Sequence, residues 1–166
     1  MHRVPALQRE EEQTVTAAPR PPRWPWLIGA ITLGADQFSK FLLITSFAPH
    51  DSVPLLPPVL SLTYVQNTGA AFGLFKGQQW LFIAISLGVM AWIVWELRVH
   101  HPMHHLVGWA CGLLLGGAAG NLIDRVRLGY VIDFLDLRVW PVFNLGDSTI
   151  TIGVALLLLH SLRHNR

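Results

Sequence analysis

Charge is what this sequence has least of. Only 13% of its 166 residues are Asp, Glu, Lys or Arg, about half the share usual in a soluble domain, while 52% are apolar. That balance excludes an ordinary soluble domain and points to a membrane protein. Cysteine is nearly absent. Cys111 stands alone, so no intrachain disulfide can form, and in GWACGLLLGG it reads as a small buried hydrophobe. Basic runs are missing too. A formal charge of +2 without an Arg/Lys cluster excludes nucleic acid as a partner and fits basic membrane flanks. There is no HExxH, no GxSxG, and no Walker or dinucleotide fingerprint. Ser39 and Lys40 are adjacent, which is the wrong spacing for a helical Ser–Lys pair. HHPMHH at 100–105 pairs His100 with His104 and His101 with His105, but Pro102 breaks the helix and no carboxylate completes a site, so no metal is expected.

What is present is four apolar stretches, at about 24–47, 77–97, 105–123 and 143–162, each near the ~20 residues a spanning helix needs. Residues 1–23, with Glu10, Glu11 and Glu12 in a row, are too polar to build a core and read as a disordered tail. No apolar stretch follows their first basic residues, so they do not read as a signal peptide. An even number of spans puts both termini on one side. Arg3, Arg9, Arg20, Arg23, Arg98, Arg163 and Arg166 fall on that side, and Lys76, Arg125, Arg127 and Arg138 on the other. The bias favours cytoplasmic termini. The two outer loops, 48–76 and 124–142, contain LSLTYV, which alternates like a short strand, and VIDFLDLRVW, which can also be extended. A small sheet on the outer surface is expected, with the spans and loops forming one domain over 24–163.

The polar residues inside this apolar chain converge. At ~1.5 Å of rise per residue, Asp36 lies ~20 Å and Lys40 ~25 Å beyond Arg23. Asn121 and Asp147 come to a similar depth on the third and fourth spans. Asp36, Lys40, Asn121, Asp124, Asp133, Asn144 and Asp147 therefore gather near one membrane face, where ionisable groups suggest function. Each has a plainer reading. Asp36 and Lys40, spaced i, i+4 with the acid first, can neutralise each other. Asn121 and Asn144 can be interhelical hydrogen-bond glue. Asp124 and Arg125 read better as a local ion pair than as site residues. Asp133, Asp136 and Asp147 are harder to dismiss, and spacing does not choose among them. Gly112, Gly116 and Gly120, four apart in GLLLGGAAG, form a small-xxx-small pattern that lets another helix approach closely.

Four ordered blocks carry a resemblance: DQFSK at 36–40, NTGAAFG at 67–73, GNLIDRVRLGYVIDF at 120–134 and FNLGDSTI at 143–150. With them the chain, over about 26–162, resembles the lipoprotein signal peptidases, or signal peptidase II. The resemblance implies a mainly α membrane fold, four transmembrane helices with a small periplasmic β-cradle and a mobile segment over the site. It implies an aspartic endopeptidase, without metal or other cofactor, in the bacterial inner membrane. Such an enzyme cleaves diacylglyceryl-modified prolipoproteins before the lipidated cysteine, with its active site at the periplasmic face. The family's catalytic pair matches Asp133 and Asp147. Asn67, Asn121, Arg125 and Asn144 match residues lining the site, and Asp36 and Lys40 match residues supporting it. Gly146 departs from the family's usual alanine. The simplest assembly is a monomer in contact with membrane lipid.

The chemistry suits such a pair. Hydrolysis without metal or nucleophile needs a group to activate water and a group to protonate the leaving amine, and two carboxylates sharing one proton supply both. Two rival classes make different demands. A coupled transporter places its carboxylates near the bilayer midplane and usually carries an inverted repeat, whereas these gather at one face and no repeat is evident. A non-catalytic scaffold tolerates neutral residues at Asp133 and Asp147.

Overall fold

The computed structural model describes residues 21–69, 75, 77–99 and 103–164. Four helices form the body: α1 (Trp24–Ser46), α2 (Gln79–Val99), α3 (His105–Leu128) and α4 (Leu145–His164). All four are long and apolar enough to cross a membrane. Three strands, β1 (Ser52–Leu56), β2 (Leu60–Asn67) and β3 (Val131–Asp136), make an antiparallel sheet in the order β1–β2–β3. They lie in the connections at one end of the bundle. The expected sheet is present and gains β1, which carries Pro54 and lacks the alternation that marks β2. The third span is longer than hydropathy suggested. It continues past residue 123 to Leu128, taking Asp124 and Arg125 into the helix.

The packing follows the sequence pattern. On α1 the buried residues are Pro25, Gly29, Thr32, Asp36, Lys40 and Leu43, a stripe at three- and four-residue steps that faces one side of the helix. The stripe lies on α3, the central helix, where over half of the spanning window is buried (56%) against 28% or less in the others. Close approach depends on the glycines. A Cβ at Gly116 would sit 2.5 Å from the Gly29 carbonyl oxygen and from Thr32, and one at Gly120 would overlap the Asp36 carboxylate. Gly117 faces the other way, toward Gly146 of α4. The small residues thus seat α1 and α4 on opposite sides of α3.

Helix ends place the rest. Gly129 closes α3 in the left-handed conformation (φ 79°) and returns its N–H to the Arg125 carbonyl, the usual device for ending a helix and turning the chain. β3 starts two residues later and is buried along nearly its whole length. Ile132 and Phe134 join Leu43 and Tyr64 in an apolar cluster, so the alternate residues Val131 and Asp133 face the opposite side. Phe143 pairs with Leu135 across a single bridge, which brings the following Asn144 alongside β3 as α4 begins.

Candidate active site

Asn144 and Asp147 begin α4 as a reciprocal cap. The Asn144 side-chain oxygen accepts from the Asp147 N–H at 2.8 Å, and the Asp147 carboxylate accepts from the Asn144 N–H at 3.4 Å. This is the arrangement of a capping box, in which cap and third helical residue satisfy each other's backbone donors. It also sets a negative group in the first helical turn, where the dipole favours it. The N-x-x-D spacing ahead of an apolar run carried this signal in the sequence. The acid at the lip of a membrane helix is in part explained by it.

The same Asn144 reaches Asp133. Its amide nitrogen donates to Asp133 Oδ1 at 2.7 Å, and Asn67 donates to the other oxygen at 2.8 Å. Asn67 stands opposite Val131, with Val65 opposite Asp133. Asn67 and Asp133 are therefore diagonal neighbours on one face of the sheet, within side-chain reach. Asp147 accepts from Asn121 of α3 at 2.8 Å. Both aspartates line one cavity of about 330 Å³, with Asn67 and Arg125 in its walls. Burial, and then the negative charge of Asp147, push the Asp133 carboxyl up to about 7, against the hydrogen bonds from Asn67 and Asn144 and the charge of Lys40.

Beneath the pair lies a buried charge hub. The Lys40 ammonium touches Asp36 at 2.8 Å, Asp124 at 2.8 Å and the Asn121 side-chain oxygen at 2.9 Å, which uses all three of its donors. Asp36 also accepts from the Gly146 N–H at 2.8 Å, tying α1 to the start of α4. Asp124 accepts from the Ile132 N–H at 3.2 Å, anchoring β3. The expected i, i+4 pair of Asp36 and Lys40 exists, but it continues into the site. Asn121 and Asn144 do bond each other between helices, at 3.1 Å, and each also holds an aspartate.

One expectation is corrected. Asp124 forms its ion pair with Lys40, not with Arg125. Successive helical residues point about 100° apart, so Asp124 turns into the α1 contact while Arg125 turns to the cavity, its guanidinium 4.8 Å above the Phe82 ring. Asp136 separates from the pair. It accepts from Thr63 and the Arg138 N–H, each at 2.8 Å. Burial raises its carboxyl, but those bonds and the Arg138 charge outweigh burial and hold it below the ordinary value.

Two contributors carried no separate signal in the sequence. Gln37 donates to Asp36, Asp124 and the Gly120 carbonyl at 3.1–3.2 Å, and Phe82 supports Arg125. Residues 70–74 and 76 of the first outer loop and residues 100–102 of HHPMHH lie outside the described residues. Cys111 is fully buried in the apolar cluster of Ile93, Leu97 and Leu114.

Residues 28–163 match the family model described as signal peptidase (SPase) II. The chain is 46% identical over 131 residues to the lipoprotein signal peptidase of Moorella thermoacetica, covering 79% of this chain and 87% of that one. It is 50% identical over 126 residues to the lipoprotein signal peptidase of Syntrophomonas wolfei, covering 75% and 83%. A bacterial membrane enzyme structure solved by the in meso method at 2.3 Å superposes with a TM-score of 0.81 at 32% identity, over 85% of this chain and 88% of that one. With a four-helix membrane fold and two aspartates facing one cavity, the chain belongs to the signal peptidase II family of aspartic peptidases.

Proposed function

We propose that the chain removes signal peptides from diacylglyceryl-modified prolipoproteins, hydrolysing the peptide bond just before the lipidated cysteine, with Asp133 and Asp147 as the catalytic pair. The observation that carries this reading is the joint seat of the two carboxylates. They come from a strand and a helix, share Asn144, line one cavity, and hold Asp133 near 7. Such a pair keeps one proton between them at neutral pH. One carboxylate takes a proton from water as the oxygen attacks the scissile carbonyl. The carboxyl partner donates to the carbonyl oxygen, and the pair then holds the gem-diol. Collapse breaks the C–N bond, with a proton delivered to the cysteine nitrogen. The pair titrates as a unit, so the two roles belong to the pair.

Asn67, Asn121 and Asn144 orient the carboxylates, and Arg125 lies in the same wall, where its cation meets substrate backbone. A second cavity of about 250 Å³ runs from Asp147 between α2, α3 and α4 past Ile85, Val89 and Leu114. Its apolar walls suit a lipid-borne substrate arriving from within the bilayer. The Lys and Arg distribution supports cytoplasmic termini and a catalytic face on the outer side of the inner membrane. The chain then acts as a monomer on substrates held by their own lipid. The test is cleavage of a diacylglyceryl-modified prolipoprotein by the purified protein in detergent, beside Asp133→Asn and Asp147→Asn. Cleavage by wild type and loss in both folded variants is expected. Cleavage by the folded variants at the wild-type rate sinks the assignment.

A further inference from the structure

A further cavity, away from Asp133 and Asp147, sits against the sheet. The β1–β2 turn and Arg138 enclose a pocket of about 400 Å³ walled by Pro54, Pro57 and Pro58, with Ser61 at its side. Arg138 holds an unusual backbone position for a residue with a Cβ (φ 63°), which is sparsely populated outside glycine. From there its side chain folds back over the sheet. Nε and Nη2 donate to Ser61 Oγ at 3.2 and 2.7 Å, and Nη2 also to Ser52 Oγ at 3.3 Å. Asp136 lies 3.7 Å from Nε. One edge of the guanidinium is thus fastened by the strands. The side chain remains 49% exposed, and Nη1 enters none of these bonds. A half-exposed guanidinium held by the strands through Nε and Nη2, with Nη1 to spare, can donate to a phosphate oxygen.

The apolar surroundings say where this pocket rests. Leu55, Leu56 and Val59 beside the turn are 54%, 62% and 55% exposed, and Val139, next to Arg138, is 91% exposed. These residues lie outside the helices, and the described residues leave them uncovered. In a protein with four spanning helices, apolar side chains grouped around a cation at the end of the bundle belong at the level of the lipid headgroups.

We propose that the sheet binds an anionic glycerophospholipid. Its phosphate accepts from Nη1 of Arg138 above the three prolines, and Leu55, Leu56, Val59 and Val139 enter the acyl boundary. The contact would hold the sheet at a set depth, and with it Asp133 on β3. The site touches none of the catalytic residues, so it stands apart from the peptidase reading.

The test is native mass spectrometry of the full-length protein in detergent with dioleoylphosphatidylglycerol or dioleoylphosphatidylcholine. Wild type should retain the anionic lipid in preference to the zwitterionic one. Arg138→Gln should lose that preference by roughly tenfold, the scale of one charge-assisted hydrogen bond, while cleavage in lipid-free detergent is unchanged. Arg138→Lys keeps a cation but lacks the guanidinium plane fastened to Ser61 and Ser52, so it should lose most of the preference as well; if Arg138→Gln does not fold, undiminished preference in folded Arg138→Lys overturns the proposal. Equal retention of both lipids by wild type overturns the proposal, as does undiminished preference in folded Arg138→Gln. So does a raised KM for prolipoprotein in Arg138→Gln with lipid binding unchanged, which would make Arg138 a substrate contact.

Discussion

Lys40 fixes the direction of Asn121: its ammonium lies 2.9 Å from the Asn121 side-chain oxygen, which leaves the amide nitrogen to donate to Asp147 at 2.8 Å. The Asn144 amide, donating to the same oxygen at 3.1 Å, reinforces the choice. A buried cation on α1 thereby orients a carboxylate on α4 through a neutral residue on α3. Lys40→Met leaves Asp36 and Asp124 buried without their cation, and should cost about 3–5 kcal/mol of stability, read by thermal unfolding in detergent. Asn121→Ala removes only the last link. It should fold with a far smaller loss and lower kcat with little change in KM.

Asn144 serves both aspartates, so a near-isosteric change there should be severe. Asn144→Asp replaces the donor to Asp133 with an acceptor and adds a third carboxyl beside the pair. A kcat loss of roughly 10²-fold or more is expected, the scale of a misplaced catalytic group. Steady-state kinetics on a prolipoprotein substrate would check it, and a loss confined to KM would contradict it.

The Asp133 carboxyl near 7 has two consequences for pH. Turnover should fall as pH rises above about 7, because the pair loses its shared proton. Stability should move in the same direction. The folded chain holds on Asp133 a proton that the unfolded chain releases near 3.8, so this contribution is complete below that pH and is lost as pH rises to about 7. Melting temperatures of wild type should therefore decline across that window. In Asp133→Asn this part of the slope should be missing, and an equal slope in both proteins would refute the cause.

Glycine positions separate contact from composition. At Gly120 a Cβ would overlap the Asp36 carboxylate, whereas at Gly88 of α2 it would meet nothing within 4 Å. Gly120→Ala should destabilise by about 1–3 kcal/mol through overpacking and disturb the charge hub of Asp36, Lys40 and Asp124. Gly88→Ala should be close to neutral. Parallel thermal melts and activity assays compare the two.

Arg125 tests the cavity wall. Its guanidinium rests on Phe82 and lines the space that holds both aspartates. Arg125→Ala should fold and lose turnover. Unfolding of this variant in place of lost turnover would mean that the arginine serves packing.

Much of this was legible in the chain itself. Scarce charge and four apolar stretches determined the membrane helices, because hydropathy acts locally and length sets a span. The alternation of LSLTYV marked β2, and the ordered motif blocks marked the signal peptidase II family. Other features were not legible. The ion pair of Asp124 with Lys40 and the turning of Arg125 toward Phe82 depend on which face of α3 meets α1, and adjacent residues in sequence give no sign of it. Asp136 and Asp133 share a strand and a charge. Only pairing with β2 sends one to Thr63 and Arg138 and the other to Asn67 and Asn144. The sequence by itself determined which residues lie near one end of the bundle. Tertiary structure alone decided which of them share a cavity and which proton each holds, because a carboxylate's environment is made by side chains from elements distant in sequence.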